Sequence, residues 1–218
     1  MKITILTLFP QLFNEFLKNS IVKNIIEKKV ATIKIVNFRD YSKQKNKQVD
    51  DYQYGGGGGM VLMLQPIVGA IKANKTKNTK VILLSPQGQP FKQAKAVSLS
   101  KEKDIMLICG HYEGFDERIL NYVDESISIG DYVLTGGEIP AMVISEAVVR
   151  LLENGISKKS LESESFNNNL LDYATYTKPL NFEGHKVPEV LLSGNHKKID
   201  EFRKKEQIKK TKKIRPDL

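Results

Sequence analysis

The chain has 218 residues, of which 40% are hydrophobic, and its 34 lysines and arginines exceed its 25 acidic residues by nine charges. This composition is typical of a globular protein and excludes a disordered tail. No run approaches the roughly 20 apolar residues of a membrane span. The apolar start of the chain is too short, and lacks the small-residue cleavage site, for a secretion signal. We therefore expect a cytosolic protein without a membrane partner.

Cysteine and histidine are too few to predict a disulfide or a structural metal site. Cys109 is the single cysteine, and the three histidines, His111, His185 and His196, show no zinc-binding spacing. We expect no structural metal.

Strand-like and helix-like segments alternate over the first 150 residues. The predicted strands are Lys2–Phe9, Ala31–Phe38, Lys80–Leu84, Asp104–Cys109 and Ser126–Gly130. The predicted helical segments are Pro10–Ile26, Pro66–Ala73, Phe91–Lys101, Asp116–Val123 and Pro140–Glu153. Near-continuous apolar strands suit a sheet with helices on both faces. The alternation therefore predicts an α/β fold with a mainly parallel sheet.

The composition changes after this region. Residues 155–171 are polar and rich in serine and asparagine, which is typical of a linker. We therefore predict a main domain at 1–154, a linker at 155–171 and a small helical domain at 172–218. Residues 197–218 hold ten lysines and arginines against four acids, so six of the nine net charges lie there. This basic end is either a solvated helix or a phosphate-binding surface.

Three loops that follow predicted strands are candidates for a ligand site. They are Ser85–Gly88, Gly110–Arg118 and Ile129–Glu138. Ligands of open α/β sheets bind beyond the carboxyl ends of the strands, and glycines there let the backbone approach a ligand. Each loop alone is more typical of an ordinary turn or helix entry; their joint placement indicates a site. The glycine motifs of nucleoside triphosphatases and of dinucleotide-binding proteins are absent.

Two further segments allow a structural and a functional interpretation. Five consecutive glycines, 55–59, lie beside Asp50 and Asp51 and form either a flexible linker or a loop that closes over a substrate. Asp172 lies among tyrosines and threonines at the end of the polar run. It is either a helix cap or a carboxylate that accepts a proton from a substrate.

At these residues the chain resembles the bacterial tRNA (guanine-N1)-methyltransferases of the TrmD family, which belong to the SPOUT class. The resemblance covers Ile3 to about Leu218. The motifs that carry it are Leu8–Pro10, Val49–Asp51 with Tyr54–Met60, Leu84–Gly88, Cys109–Arg118, Ser128–Met142, Ser165–Phe166 with Leu170–Asp172, Tyr176–Pro179 and Leu191–His196.

The resemblance implies a parallel sheet whose later part forms a deep trefoil knot, a rare exception to unknotted chain connections. It also implies a homodimer with the active site at the subunit interface, and S-adenosylmethionine held among the knot loops. The cofactor-binding residues it implies are Leu84, Ser85, Pro86, Gly110, Tyr112, Glu113, Ser128, Ile129, Gly130, Asp131, Tyr132, Val133, Leu134, Gly136, Gly137 and Pro140.

The implied reaction transfers a methyl group to N1 of guanosine 37 of tRNA, beside the anticodon, with a guanosine preferred just before it. Asp172, from the other subunit, matches the general base that accepts the N1 proton. A cation near guanine O6 would assist. The candidates are Mg²⁺ near Glu113 and a lysine of the linker, Lys158 or Lys159. Glu113 has two alternatives, a pair with Arg118 or an offset of the sulfonium charge.

The same resemblance assigns residues to the RNA, with tRNA rather than DNA as the nucleic acid. The substrate-binding candidates are Asp50, Gly55, Gly56, Gly57 and Lys159, with Ser193, Asn195 and His196 at the entrance of the domain that holds the anticodon arm. Each of these last three is by itself more typical of a cap or a surface residue.

The sequence departs from the family pattern in three places. The linker lacks the usual Pro-Gly-Val-Leu after Arg150, Asp172 is followed by Tyr173-Ala174-Thr175, and the chain ends at Leu218 where many relatives continue. Two other functions therefore stay open. One is a knotted methyltransferase that acts on a ribose hydroxyl or another base, and the other is an RNA-binding protein without catalytic activity.

Overall fold

The structure is a computed structural model that describes residues 1–153, 155–157 and 164–218. The chain divides into two compact units, Met1–Ile156 and Ser157–Leu218. Among the described helices, none has both the length and the apolar composition needed to cross a lipid bilayer.

A parallel sheet forms the centre of the first unit. The strands described there are β1 (Lys2–Thr7), β2 (Thr32–Asn37), β3 (Asp50–Asp51), β4 (Val61–Leu62), β5 (Thr79–Pro90), β6 (Asp104–Ile108) and β7 (Glu125–Ser128). Five of them pair in the order β2-β1-β6-β5-β7, and all of these pairings are parallel. Every residue of β6 is buried. The predicted α/β class with a mainly parallel sheet is confirmed.

Helices cover both faces of this sheet. They are α1 (Asn14–Lys18), α2 (Ser20–Glu27), α3 (Leu64–Asn74), α4 (Gln93–Leu99) and α5 (Glu138–Val149). On one face, Ile25 of α2 and Ile144 of α5 pack with Ile5 of β1. On the other face, Ile67 and Ile71 of α3 pack with other residues of the sheet. The alternating strands and helices therefore enclose two apolar layers.

The single helix predicted over Pro10–Ile26 is wrong in its continuity. A 3₁₀ turn at Pro10–Phe13 leads into α1, and the helix is interrupted at Asn19 before α2 begins. Asn19 adopts an extended backbone, and its side-chain amide donates to the Glu15 carbonyl over 2.8 Å. An asparagine side chain that satisfies a helix carbonyl in this way competes with the next helical turn.

Strand β5 is longer than the predicted Lys80–Leu84. After the Ser85–Gly88 segment, Gln89 and Pro90 pair with β7 a second time. A Cβ atom on Gly88 would lie 2.4 Å from the Ile127 amide nitrogen, so glycine is required where these two strands meet. The strand thus brackets the segment that was predicted to be a ligand loop.

One buried polar contact joins the start of α5 to the end of β1. The Thr7 hydroxyl donates to the Glu138 carboxylate over 2.7 Å and accepts from the Phe9 amide over 2.9 Å. Thr7 is 0% exposed and Glu138 is 5% exposed. Because a buried carboxylate needs such donors, this contact fixes the first turn of α5 against the sheet.

The second unit contains a short antiparallel hairpin, β8 (Asn181–Phe182) and β9 (His185–Lys186), and a long helix, α6 (His196–Ile214). A 3₁₀ turn at Glu189–Leu192 precedes α6, and the Asn195 side chain caps the helix. The hairpin was not among the predicted elements. All four of its strand residues are exposed, so no apolar pattern marks it.

We expect Thr7→Val to lower the free energy of unfolding by about 1–3 kcal/mol, because it removes the hydroxyl donor of a buried carboxylate. Thr4→Val is the matched control. Thr4 is also 0% exposed on β1, and its Oγ1 has no hydrogen-bond partner within the described residues. Loss of that hydroxyl should leave the free energy of unfolding unchanged or raise it. Urea unfolding measures both variants, and equal losses of stability would contradict this prediction.

We expect the Cys109 thiol to resist alkylation in the folded protein. Burial and the nearby Glu138 carboxylate raise the pKa of Cys109 well above its ordinary value. A raised pKa lowers the fraction of the reactive thiolate at any pH below it. An aromatic disulfide reagent at pH 8 should therefore label the thiol only after denaturant is added. Labelling of the native protein within seconds would contradict this.

Candidate functional site

The middle of β5, at residues 83–87, and the carboxyl ends of β6 and β7 enclose a cavity of about 550 Å³. This volume lies within the usual range for a small-molecule site. The predicted cofactor residues that line the cavity are Leu84, Ser85, Pro86, Gly110, Tyr112, Glu113, Ser128, Ile129, Gly130, Tyr132, Val133, Leu134, Gly136, Gly137 and Pro140. The three loops chosen from the sequence thus meet at one place.

Asp131 is the exception among the predicted cofactor residues. It is exposed and does not line the cavity. The Tyr132 amide donates to the Gly130 carbonyl over 3.0 Å, which places Asp131 at the tip of a three-residue turn.

A backbone contact holds the third loop against the end of β6. The Gly137 amide donates to the Gly110 carbonyl over 2.9 Å. A Cβ atom on residue 137 would lie 2.6 Å from the Cys109 Cα atom, so only glycine permits this approach. Main chain therefore forms this part of the cavity wall, where it can offer hydrogen-bond donors and acceptors to a ligand.

His111 also lines the cavity, and the sequence analysis did not select it. Its ring centroid lies 4.9 Å from that of Phe9 and 5.3 Å from that of Tyr112. The signal was its position inside the Gly110–Arg118 loop, but a lone histidine in a loop carries little weight by itself. Gln87, Phe115 and Thr135 line the cavity as well and were not among the predicted site residues.

The five-glycine segment is anchored to the wall of this cavity at one end. The Glu113 amide donates to the Met60 carbonyl over 3.0 Å, and the Leu62 amide donates to the Gly114 carbonyl over 2.9 Å. A Cβ atom on Gly59 would lie 2.5 Å from the Glu113 side chain. The segment is therefore a loop within the first unit and does not link two domains.

The predicted substrate residues of this loop lie on its outer part. Gly55, Gly56 and Gly57 have positive φ angles of 86°, 80° and 136°. No atom lies within 4 Å of where a Cβ would be on Gly55 or Gly56, so this part of the loop is open. Asp50 pairs with Leu62 at the base of the loop.

Arg118 does not pair with Glu113, contrary to one of the two alternatives for that carboxylate. The Arg118 guanidinium donates instead to both oxygens of Asp116, at 2.9 Å from Nε to Oδ1. This hydrogen bond holds the pKa of Asp116 below its ordinary value. The Glu113 carboxylate is left at the cavity wall.

The described residues do not supply a ready-made metal centre. Among them, no group of three histidine, cysteine, aspartate or glutamate side chains lies close enough to hold an ion. Mg²⁺ is commonly bound by only one or two protein carboxylates, with water and substrate oxygens completing its shell. Glu113 could supply one such carboxylate and no more.

Asp172 lies in the second unit, in a segment that folds back on itself. Its amide donates to the Ser165 hydroxyl over 2.9 Å, and its Oδ1 accepts from the Tyr173 amide over 2.7 Å. Residues 170–177 form no helix, so the alternative interpretation of Asp172 as a helix cap is wrong. In the described part of the chain, no hydrogen bond reaches Oδ2.

Two of the three predicted RNA contacts at the start of α6, Ser193 and Asn195, make hydrogen bonds within the second unit. Asn195 Oδ1 accepts from the Lys198 amide over 3.2 Å and caps the helix. The Ser193 hydroxyl donates to the Val190 carbonyl over 2.8 Å. His196 is exposed at the first position of α6. Lys158 and Lys159 lie outside the described residues.

Comparison with known proteins gives a family match over the whole chain. The family described as tRNA (Guanine-1)-methyltransferase TrmD matches residues 1–218. The chain is 61% identical over 219 residues to a tRNA (guanine-N(1)-)-methyltransferase of Ureaplasma urealyticum serovar 10, covering 100% of this chain and 96% of that protein.

Two further relatives carry the same name. The protein of Malacoplasma penetrans is 61% identical over 218 residues, covering 100% of this chain and 96% of that protein. The protein of Spiroplasma kunkelii is 55% identical over 218 residues, covering 100% of this chain and 82% of that protein. The resemblance drawn from the motifs is thus confirmed, and the chain belongs to the tRNA (guanine-1)-methyltransferase family TrmD.

Proposed function

We propose that this protein methylates N1 of guanosine 37 in tRNA, next to the anticodon, with S-adenosylmethionine as the methyl donor. The observation that carries the proposal is the cavity beside β5 and the carboxyl ends of β6 and β7 in a chain of this family. Fifteen of the sixteen residues expected around the cofactor line it.

The cavity suits S-adenosylmethionine in both size and chemistry. Gly110, Gly130 and Gly137 expose main-chain groups that can pair with the edges of adenine and with ribose hydroxyls. Glu113 and Glu117 also line the cavity and can offset a positive charge. When bound, S-adenosylmethionine supplies a methyl group on a positively charged sulfur.

The proposed fold includes a trefoil knot formed by the loops around this cavity. In the sheet, β5 lies between β7 and β6. The chain that leaves β7 therefore returns past β5 to the end of β6, where the Gly137 amide bonds with the Gly110 carbonyl. This return supports the proposed knot.

The proposed assembly is a homodimer whose subunits meet beside the cavity. Several apolar side chains near its entrance and on α5 are exposed. Val133 is 84% exposed, Ile139 is 57% exposed and Val143 is 41% exposed. A second copy that covers these side chains would remove apolar surface from water. It would also bring its own Asp172 to the site.

Asp172 is the proposed general base. The N1 atom of neutral guanine carries a proton, and its electron pair attacks the methyl carbon only as that proton leaves. The Asp172 carboxylate would accept the proton, and Oδ2 is the oxygen for this step because Oδ1 bonds with the Tyr173 amide. A cation near guanine O6 would ease the step. The candidates are Mg²⁺ bound by Glu113 and a lysine of the linker.

Helix α6 is the proposed contact with the anticodon arm. Its lysines, including Lys204, Lys205, Lys209, Lys212 and Lys213, are exposed. Clustered cations bind phosphates by releasing condensed counterions. A base that must be methylated also has to leave its stack, which is easier in a single-stranded loop than in a duplex.

We expect Asp172→Asn to slow single-turnover methyl transfer by about 10²- to 10⁴-fold, because an amide cannot accept the N1 proton. The affinity for S-adenosylmethionine should change less than about twofold. The assay uses labelled S-adenosylmethionine and unmodified tRNA with guanosine at position 37, and mass analysis of nucleosides identifies the product.

Asp40→Asn is the control, since Asp40 is exposed, pairs with Lys47 and is not among the predicted site residues. It should keep the parent rate. Formation of a ribose-methylated nucleoside would favour the rival methyltransferase. Absence of S-adenosylmethionine binding would favour an RNA-binding protein without activity. Methyl transfer by Asp172→Asn at the parent rate would contradict the assignment of Asp172 as the general base.

We expect Lys209→Gln with Lys213→Gln to weaken tRNA binding. The plot of log affinity against log salt, which falls with salt, should become less steep by about 0.7 for each lost phosphate contact. Lys101→Gln with Lys103→Gln makes the same charge change beside the amino end of β6, at the edge opposite the cavity, and should leave the slope unchanged. Filter binding at several salt concentrations measures both. Equal slopes for the two double variants would contradict a role of α6 in binding.

A further inference from the structure

Thr211 is the one buried residue of the described helix α6. It is 5% exposed, while the basic residues around it face solvent. Its hydroxyl donates to the Gln207 carbonyl over 2.7 Å and accepts from the Leu171 amide over 2.9 Å. The hydroxyl therefore joins the helix to the residue immediately before Asp172.

Two more residues of α6 contact the same short segment. Lys210 Nζ donates to the Asp172 carbonyl over 3.2 Å. The Arg203 guanidinium lies 4.7 Å above the ring of Tyr173. Residues 171, 172 and 173 are each held by one side chain of the helix. The segment that carries the proposed base is thus docked on the proposed RNA-binding helix.

Of these three contacts, the one from Thr211 fixes the orientation of the segment that carries Asp172. Lys210 is exposed, and a hydrogen bond from a flexible ammonium group in water orients its partner weakly. A cation above an aromatic ring constrains distance more than angle. A buried hydroxyl that accepts from a backbone amide holds that amide in one orientation.

Helix formation alone does not call for threonine at this position. Threonine is a poorer helix former than alanine, and a hydroxyl that bonds back to the preceding turn gives the helix little. The bond to Leu171 is the contact that alanine could not make. Thr211 is therefore placed to serve the segment beside it.

We propose that Thr211 is a positioning residue that orients Asp172 for proton removal, and this rests on the function proposed above. The same helix carries the lysines expected to bind phosphates. RNA binding and the orientation of the Asp172 carboxylate therefore both depend on α6. A shift of the helix on the RNA would move the carboxylate with it.

The test compares Thr211→Val, Thr211→Ala and Thr211→Ser in the full chain. We expect the valine and alanine variants to slow single-turnover methyl transfer at saturating S-adenosylmethionine and tRNA by about ten- to a hundredfold, as expected for a misplaced reacting group. Their dissociation constants for both ligands should stay within about twofold of the parent. Serine keeps the hydroxyl and should restore most of the rate.

Two controls separate positioning from a loss of structure. Alanine favours the helix more than threonine does, so a slow Thr211→Ala variant is not explained by a weaker α6. Thr32→Val makes the valine change at an exposed position of β2 and should keep the parent rate. Thermal melting by circular dichroism sets an assay temperature at which every variant is folded.

A double variant tests whether Thr211 acts through Asp172. Asp172→Asn with Thr211→Val should be no slower than Asp172→Asn alone, because the positioned carboxylate is already gone. Additive losses, or parent rates in both Thr211→Val and Thr211→Ala, would overturn the inference while leaving the proposed function intact. A parent protein that transfers no methyl group to guanosine 37 would overturn both.

Discussion

The close approach of two backbone segments, at Gly137 and Gly110, determines the form of the site. Their hydrogen bond of 2.9 Å brings the chain that leaves β7 back to the end of β6. Three loops from neighbouring strands then enclose one volume, and α5 starts directly behind it. The Thr7–Glu138 contact fixes that start to the sheet. The cavity wall and the apolar core therefore share their residues, and neither can rearrange alone.

Much of the first unit could be predicted from the sequence because its central strands, β1 and β6, are buried on both faces. A run such as Ile105–Ile108 has little choice of environment, and it pairs with β1 and β5 in the interior of the sheet. The break at Asn19 could not be predicted, because it depends on one side chain that competes with a helix turn. The second pairing of β5, at Gln89 and Pro90, depends on contact with β7.

The place of the cavity was predicted at two levels. Glycine-rich loops after buried strands indicated it, and fifteen of the sixteen cofactor residues that the family resemblance implies line it. Asp131 is the exception, since it lies exposed at the tip of a three-residue turn and does not line the cavity. His111 was not selected because its contacts with Phe9 and Tyr112 at the cavity wall are made by the fold and leave no local sequence pattern. The contact between Thr211 and Leu171 joins residues 40 positions apart, and no local pattern announces it.

The exposed tip of the five-glycine loop also makes a natural point of cleavage. Tyr54 is 100% exposed just before the glycines, so a protease that cuts after aromatic residues would reach this bond first. The two pieces would then be held by the β3–β4 ribbon and by β1 against β6. A nicked chain would thus stay assembled, with its two fragments separating only when the sheet unfolds.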